Sequence, residues 1–293
     1  ANYEDNLDLL AGCDLVIEAI AERMDWKLDL YQKIAGHIAP HAIVASNTSG
    51  LSITQLSQAL PEAIKPRFCG IHFFNPVRRM TLVEVVRGPA TADATVATAV
   101  AHVKRLGKCP IVVRDSPGFL VNRVLMPYLH EAVEMLRAGV DQQRIDRVAR
   151  GFGMPMGPLE LYDMIGLDTA FYAGLVLSDA YGDRIEASPL IPAMVKSGRL
   201  GRKSGAGFYR YRPDGGQRAR IDRADEGVVK LIAPYRLPAR ETTDATIADR
   251  LLLPMLLEAL RALDEQIVRD GRDVAATMHK WLKAKAKAGR VAA

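Results

Sequence analysis

The chain has 293 residues, of which 49% are hydrophobic and 25% charged, and its formal net charge at pH 7 is +5. This length predicts about two domains, and the composition is that of a globular protein and not of a disordered one. The positive charge is modest and spread along the chain, which favours a solvated surface, or a site for a small anionic ligand, over nucleic-acid binding.

Membrane and secretion signals are missing from the sequence. No stretch reaches the roughly 18 apolar residues that a membrane-spanning helix needs, and no signal-peptide pattern opens the chain. The three cysteines, Cys13, Cys69 and Cys109, follow no metal or disulfide spacing, which predicts a reducing compartment. We therefore expect no nucleic-acid partner, no transmembrane segment and a cytoplasmic location.

The first 115 residues alternate between short apolar runs and helix-favouring stretches. We predict strands at residues 15–20, 42–46, 68–73, 81–87 and 110–113, and helices at residues 22–38, 53–59 and 91–106, the second of which is entered through Ser52. This alternation predicts a mostly parallel α/β sheet.

Helical periodicity dominates from Phe119 onward. We predict helices at residues 121–138, 142–151, 163–180, 247–270 and 275–287. Proline and glycine cluster at residues 154–158 as a turn, residues 203–209 form a glycine-rich loop, and residues 212–216 form a turn or linker. The second part of the chain is therefore predicted to be helical.

His72 and Glu84 are the candidate catalytic pair. His72 lies at the end of one apolar strand and Glu84 lies inside the next, and adjacent strand ends could bring the two side chains within hydrogen-bond range. An imidazole is suited to take a hydroxyl proton near neutral pH, and a carboxylate beside it would fix the tautomer and stabilise the imidazolium. A purely structural histidine–glutamate pair remains an alternative on spacing alone.

Three segments, taken in order, resemble the 3-hydroxyacyl-CoA dehydrogenase family. They are residues 45–49 (ASNTS), residues 71–76 (IHFFNP) together with 82–86 (LVEVV), and residues 115–123 (DSPGFLVNR). Residues 14–19 (DLVIEA), 155–158 (PMGP) and 205–209 (GAGFY) support the match. The resemblance covers about residues 10 to 212 and is closest to the dehydrogenase part of the fused fatty-acid β-oxidation α subunit.

The resemblance implies a fold and further site residues. The implied fold is a partial Rossmann-type parallel sheet followed by an all-α C-terminal domain like that of 6-phosphogluconate dehydrogenase. Ser49 and Asn122 would bind the substrate, and Ala19, Glu22 and Lys27 would contact NAD. Without the resemblance, Ser49 is equally a turn cap, Asn122 an ordinary polar helix residue, and Glu22 and Lys27 solvated surface.

The resemblance also implies a domain division and partners. We expect a partial NAD-binding domain at residues 1–115, which lacks its first β-α-β unit and its glycine-rich turn. The family's helical C-terminal domain is expected at residues 116–212. A linker and a partial second helical repeat are expected at residues 213–293. An acyl-CoA thioester is the expected substrate, and a second copy of the chain or a thiolase subunit is the expected partner. No metal is expected.

The predicted function is therefore oxidation of L-3-hydroxyacyl-CoA to 3-ketoacyl-CoA with NAD in fatty-acid β-oxidation, in a bacterial-type cytoplasm. Two alternatives stay open at this point. The chain could be an inactive fragment that only dimerises or docks to a thiolase, or a two-domain dehydrogenase for a hydroxy acid without coenzyme A. The His72–Glu84 pair disfavours the second alternative, because such enzymes commonly resemble a lysine-centred site.

Overall fold

The computed structural model describes residues 6–184, 187–212, 220–221 and 225–275. Contacts divide the chain into two compact units. The first unit contains the described residues up to Leu120 together with residues 262–275, and the second contains residues 121–261.

The first unit is built on a five-stranded sheet with its strands in the order β1-β2-β3-β4-β5. The strands are β1 Leu15–Glu18, β2 Ile43–Ser46, β3 Phe68–Phe73, β4 Leu82–Arg87 and β5 Cys109–Arg114. The helices of this unit before Leu120 are α1 Met24–Ile34, α2 Ile53–Ser57 and α3 Asp93–Arg105, with short 3-10 turns at Leu7–Gly12, Ala35–His37 and Lys65–Arg67. The predicted cap of α2 is confirmed, because the Ser52 side chain accepts a hydrogen bond from the Gln55 amide.

Strand direction in this sheet is parallel except at one pair. β1 pairs with β2, β2 with β3, and β4 with β5 in parallel, whereas β3 and β4 are antiparallel. Only residues 74–81 join β3 to β4, which is too short for the crossover that a parallel connection requires. The expected mostly parallel α/β sheet is confirmed, with this antiparallel pair at its centre.

The core of the first unit explains why these runs became strands. A buried cluster joins one face of the sheet to α3, and its members are branched or small apolar residues that pack closely in a pleated sheet: Ile43, Ala45, Cys69, Ile71, Val83, Val85, Val96, Ala99 and Val103. Ile71, Val83 and Val85 are completely buried. Because side chains alternate across a strand, the neighbours of these residues, including His72 and Glu84, face the opposite side of the sheet.

The second unit is helical apart from one short ladder. Its helices are α4 Val121–Arg137, α5 Gln142–Phe152, α6 Pro158–Ile165, α7 Leu167–Ala180, α8 Leu190–Lys196, α9 Glu226–Ile232 and α10 Asp244–Asp264, the end of which belongs to the first unit. The expected helical C-terminal region is confirmed, and within it β6 Arg210–Tyr211 and β7 Arg220–Ile221 form a two-stranded antiparallel sheet.

The local structure of this unit differs from prediction at one predicted helix and at two short helices. The single predicted helix at residues 163–180 is wrong, because Gly166 adopts a φ of 98° and separates α6 from α7. The helices α8 and α9 were not predicted, since their seven-residue lengths leave little periodicity to detect. The predicted helix at residues 275–287 lies almost entirely outside the described residues. Among the helices that the structure describes, none is long and apolar enough to cross a membrane.

Candidate active site

His72 and Glu84 are direct partners in the antiparallel pairing of β3 with β4. The His72 Nδ1 atom lies 2.7 Å from the Glu84 Oε2 atom, so the predicted contact between them is confirmed. His72 is 3% exposed and Glu84 is completely buried. Because an ionised carboxylate can only accept, this hydrogen bond places a proton on Nδ1 and leaves the lone pair on Nε2.

Contacts with the surrounding residues hold both members of the pair in place. The His72 ring packs against Phe74 and Phe119, with ring centroids 4.4 and 5.8 Å away. The second carboxylate oxygen of Glu84, Oε1, accepts a hydrogen bond of 3.0 Å from the Leu120 backbone amide. Phe119 has a φ of 51°, in the left-handed region that a side chain of this size rarely occupies. This strained turn therefore directs the Leu120 amide toward Glu84.

Two other histidines also lie beside a carboxylate, but at the surface. The rings of His37 and His41 are 3.2 and 3.0 Å from Asp8 and Asp14, and the side chains of these aspartates are 100% and 94% exposed. Exposed pairs of this kind contribute little, because water screens both partners. Burial therefore distinguishes the His72–Glu84 pair from these two.

Ser49 lies in the turn between β2 and α2, which we call the serine turn (residues 47–52). The Glu22 Oε1 atom accepts hydrogen bonds from the Thr48 hydroxyl at 2.6 Å and from the amides of Ser49 and Gly50 at 2.8 and 3.1 Å. The Thr48 hydroxyl also accepts from the amide of Leu51 at 2.9 Å. The backbone of the serine turn is thus held by one carboxylate, while the Ser49 residue itself is exposed.

The sheet brings Glu22, Ser49 and His72 to the same edge. β1, β2 and β3 are parallel and adjacent, so their carboxyl ends meet there, where α/β sheets commonly bind ligands. The side-chain oxygen of Asn47 accepts a hydrogen bond of 2.9 Å from the Phe73 amide, which ties the serine turn to the strand that carries His72. Asn47 thus has a structural contact that the sequence did not indicate.

A buried charge network lies behind this edge. Glu18, which is 4% exposed, accepts hydrogen bonds from Lys27 Nζ at 2.6 Å, the Ser46 hydroxyl at 2.7 Å and the Tyr31 hydroxyl at 2.9 Å. Burial and the neighbouring Glu18 charge raise the pKa of Tyr31 well above its ordinary value. Sequence reasoning missed Glu18, although a glutamate ending an apolar strand could have indicated a buried pair.

The residues predicted to contact the cofactor fall into two kinds. The side chain of Lys27 is 1% exposed and engaged with Glu18, and its Nζ lies 3.6 Å from Glu22 Oε2. The Glu22 side chain is 44% exposed, and Ala19 is exposed at the end of β1. A half-exposed carboxylate beside an accessible backbone fits the ribose hydroxyls of a dinucleotide, so this donor and acceptor set is compatible with NAD.

Asn122 belongs to the second unit, where it is the second residue of α4 and is half-buried. Its contact with the substrate stays a prediction. Among the described residues, no cluster of histidine, cysteine and carboxylate side chains could hold a metal ion.

The glycine-rich loop of the second unit surrounds a buried carboxylate of the chain itself. Asp163, 1% exposed, accepts hydrogen bonds of 2.8 Å from the amides of both Phe208 and Tyr209 and one of 2.9 Å from the Tyr211 hydroxyl. A Cβ atom at Gly207 would overlap the Asp163 carboxylate, which explains the glycine. Burial raises the pKa of Asp163 to about 7.

Two family models match most of the chain. Residues 1–116 match the model described as "3-hydroxyacyl-CoA dehydrogenase, NAD binding domain", and residues 118–211 match "3-hydroxyacyl-CoA dehydrogenase, C-terminal domain". Among curated proteins, the chain is 43% identical over 260 residues to the fatty acid oxidation complex subunit alpha of Pseudomonas aeruginosa. That match covers 87% of this chain, and the chain spans only 36% of the relative's length.

Two solved structures of 3-hydroxybutyryl-CoA dehydrogenases are also similar to this chain. The (S)-3-hydroxybutyryl-CoA dehydrogenase of Ralstonia eutropha is 44% identical, with a TM-score of 0.67, over 71% of this chain and 74% of that one. The 3-hydroxybutyryl-CoA dehydrogenase of Escherichia coli is 28% identical, with a TM-score of 0.80, over 96% of this chain and 74% of that one.

Proposed function

The chain belongs to the 3-hydroxyacyl-CoA dehydrogenase family, and from this premise we propose that it oxidises L-3-hydroxyacyl-CoA to 3-ketoacyl-CoA with NAD in fatty-acid oxidation. The observation that carries the proposal is the buried hydrogen bond between His72 Nδ1 and Glu84 Oε2. This pair supplies a base of the kind that alcohol oxidation requires, within the NAD-binding domain of a dehydrogenase family.

In the proposed reaction, His72 Nε2 takes the proton of the 3-hydroxyl group while carbon 3 gives up a hydride and becomes a carbonyl carbon. Glu84 stabilises the imidazolium that forms, because its carboxylate already accepts the Nδ1 proton. Phe74 and Phe119 restrict the ring, and their apolar surfaces exclude water from it. In the reverse direction the imidazolium returns the proton to the 3-oxygen.

NAD, when bound, supplies the hydride acceptor. Glu22 and the backbone of Ala19 are the groups that would hold it, and we propose that Lys27 acts mainly by fixing the Glu22 carboxylate, given its burial beside Glu18. Ser49 and Asn122 are proposed to bind the substrate oxygens by neutral hydrogen bonds, which are worth about 2–4 kcal/mol each when aimed at developing charge.

Further proposals follow from the resemblance. The division at residues 115 and 212, a second copy of the chain or a thiolase subunit as partner, and a cytoplasmic location all stay predictions. Membership of a multienzyme complex is supported by the name of the Pseudomonas aeruginosa relative, a subunit of a fatty acid oxidation complex.

The proposal is tested by following NADH absorbance during reduction of acetoacetyl-CoA by the wild-type chain and by His72→Gln. Glutamine keeps a donor for Glu84 but cannot give a proton to the 3-oxygen as the imidazolium does, so kcat should fall about 10²- to 10⁴-fold. Calorimetry with NADH should give the same affinity for both proteins, because His72 is proposed to contact the substrate and not the cofactor.

Normal turnover by His72→Gln would show that another group is the base. A wild-type chain that neither binds NADH nor turns over acetoacetyl-CoA would instead support a role limited to assembly.

A further inference from the structure

The Asp115 carboxylate accepts four hydrogen bonds from Ser52, Ile53 and Thr54, at the start of α2. Its Oδ2 atom accepts hydrogen bonds from the Ser52 hydroxyl at 2.8 Å and from the Thr54 amide and hydroxyl at 2.7 and 2.6 Å, and its Oδ1 accepts from the Ile53 amide at 3.1 Å. The Asp115 amide in turn donates to the Arg87 carbonyl at the end of β4 at 2.9 Å. Asp115 therefore links the start of α2, through its carboxylate, to the end of β4, through its backbone amide.

The two segments that Asp115 joins each reach the proposed reaction site. On one side, Ser52 closes the serine turn, whose opposite end is held by Glu22. On the other side, Asp115 opens the junction turn (residues 115–120), in which the Phe119 amide donates to the Ser116 carbonyl at 2.9 Å. The junction turn ends at Leu120, whose amide donates to Glu84.

Both segments lie on the sheet face that carries the catalytic pair. A Cβ atom at Gly70 would be 3.0 Å from the end of the Ile53 side chain, so Ile53 packs on that face. Gly70 and His72 are two residues apart in β3 and share a face, as do their pairing partners in β4, Val86 and Glu84. The junction turn crosses this same face, because Leu120 reaches Glu84 there.

We propose that Asp115 is a positioning residue that keeps the serine turn in register with the His72–Glu84 pair. This inference rests on the proposed function. Ser49 must meet a substrate whose hydroxyl proton goes to His72, so the distance between the serine turn and the pair must stay fixed. The serine turn is held at one end by Glu22 and at the other by Asp115, and Asp115 also connects it to the turn that holds Glu84.

The decisive variant is Asp115→Asn, because an amide group cannot accept from the Thr54 and Ile53 amides with both of its ends. Site-resolved amide hydrogen exchange should accelerate in residues 49–54 and also at Leu120. The Leu120 amide donates to Glu84 and not to Asp115, so a change there would have to pass through the junction turn. Turnover of acetoacetyl-CoA should fall about tenfold to a hundredfold in kcat, with an unchanged KM for NADH. Asp115→Glu, which keeps both acceptor oxygens, should recover part of the loss.

The matched control is Asp93→Asn, which removes an exposed carboxylate of the same unit that pairs with Arg87. It should leave both readouts at wild-type values. If exchange in Asp115→Asn accelerates only at residues 52–54, Asp115 is a local cap of α2 and the positioning role is wrong. If the wild-type chain has no turnover, the proposed function fails, whereas the exchange result still decides whether Asp115 links the two turns.

Discussion

The two units both bury carboxylates, but they use them differently. In the first unit, Glu84 is completely buried and one of its oxygens accepts from the His72 imidazole, a group that can gain and lose a proton. In the second unit, Asp163 is as deeply buried, and it accepts from the Phe208 and Tyr209 amides and the Tyr211 hydroxyl. None of these three donors ionises near neutral pH, and burial raises the pKa of the Tyr211 hydroxyl further.

The comparison shows that a buried charge by itself does not identify an active site. Both carboxylates are satisfied, as buried charges must be. What differs is the partner: an imidazole near the carboxyl edge of parallel strands can pass a proton to a substrate, whereas backbone amides only fix a loop. On this basis we assign chemistry to Glu84 and structural stability to Asp163.

The largest expected effect is the loss of activity when Glu84 is replaced. Glu84→Gln preserves the shape of the side chain, but its amide nitrogen donates to His72 Nδ1 and therefore leaves the proton on Nε2. We expect kcat to fall about 10²- to 10⁴-fold, because the base is held in the wrong tautomer. The measurement is steady-state oxidation of (S)-3-hydroxybutyryl-CoA with NAD, the direction in which His72 must accept a proton on Nε2.

The matched comparison is Asp163→Asn in the second unit, which should unfold at lower urea concentration and yet keep its kcat per folded molecule. A larger loss of kcat in Asp163→Asn than in Glu84→Gln would reverse the assignment of the two carboxylates.

A smaller effect is expected from Gly207→Ala, because the new methyl group would overlap the Asp163 carboxylate and push the loop away from it. We expect a loss of about 1–3 kcal/mol in the free energy of unfolding, the usual range for overpacking. Urea denaturation followed by circular dichroism measures it. Gly151→Ala is the control, since its Cβ would meet no atom within 4 Å. Equal stability of the two variants would show that the loop does not depend on close packing with Asp163.

The smallest expected effect is the pH dependence of the second unit. Burial raises the pKa of Asp163 to about 7 and that of Asp146 to about 6, both above the ordinary value of 3.8. Each group therefore binds a proton more tightly in the folded state, so stability should rise as the pH falls from 8 toward 4 and decline as the pH rises through 6 and 7. From pH 8 to pH 6 the gain should be on the order of 1 kcal/mol.

Urea denaturation at pH 8, 7 and 6 measures this slope, and Asp163→Asn should flatten it. A wild-type chain that becomes less stable between pH 8 and pH 6 would contradict the raised pKa values.

Much of the sheet could be predicted from sequence because its strands are short, branched and apolar. β3 at residues 68–73 matches its prediction at both ends, and the other strand boundaries differ by at most two residues. The contact between His72 and Glu84 was predicted as well, but from adjacent strand ends. Its true origin is the antiparallel register, which no periodicity in one strand reveals.

The residues that the sequence did not indicate are those that act through distant partners. Glu18 and Asp115 entered the sequence analysis only as members of the segments at residues 14–19 and 115–123, yet they accept hydrogen bonds from groups as many as 28 and 63 positions away. The glycine-rich loop was recognised as a loop, but its purpose depends on Asp163, which lies some 45 positions earlier in the chain. A residue's own neighbours in sequence carry no information about such contacts.

The sequence by itself determined the alternation of strands and helices, the helical second part and the family, because apolar periodicity and ordered motifs are local properties of the chain. Only the tertiary structure decided which carboxylates face an imidazole and which face backbone amides. A carboxylate's role depends on the donors that folding brings within about 3 Å of it, and those donors come from strands and turns far apart in the chain.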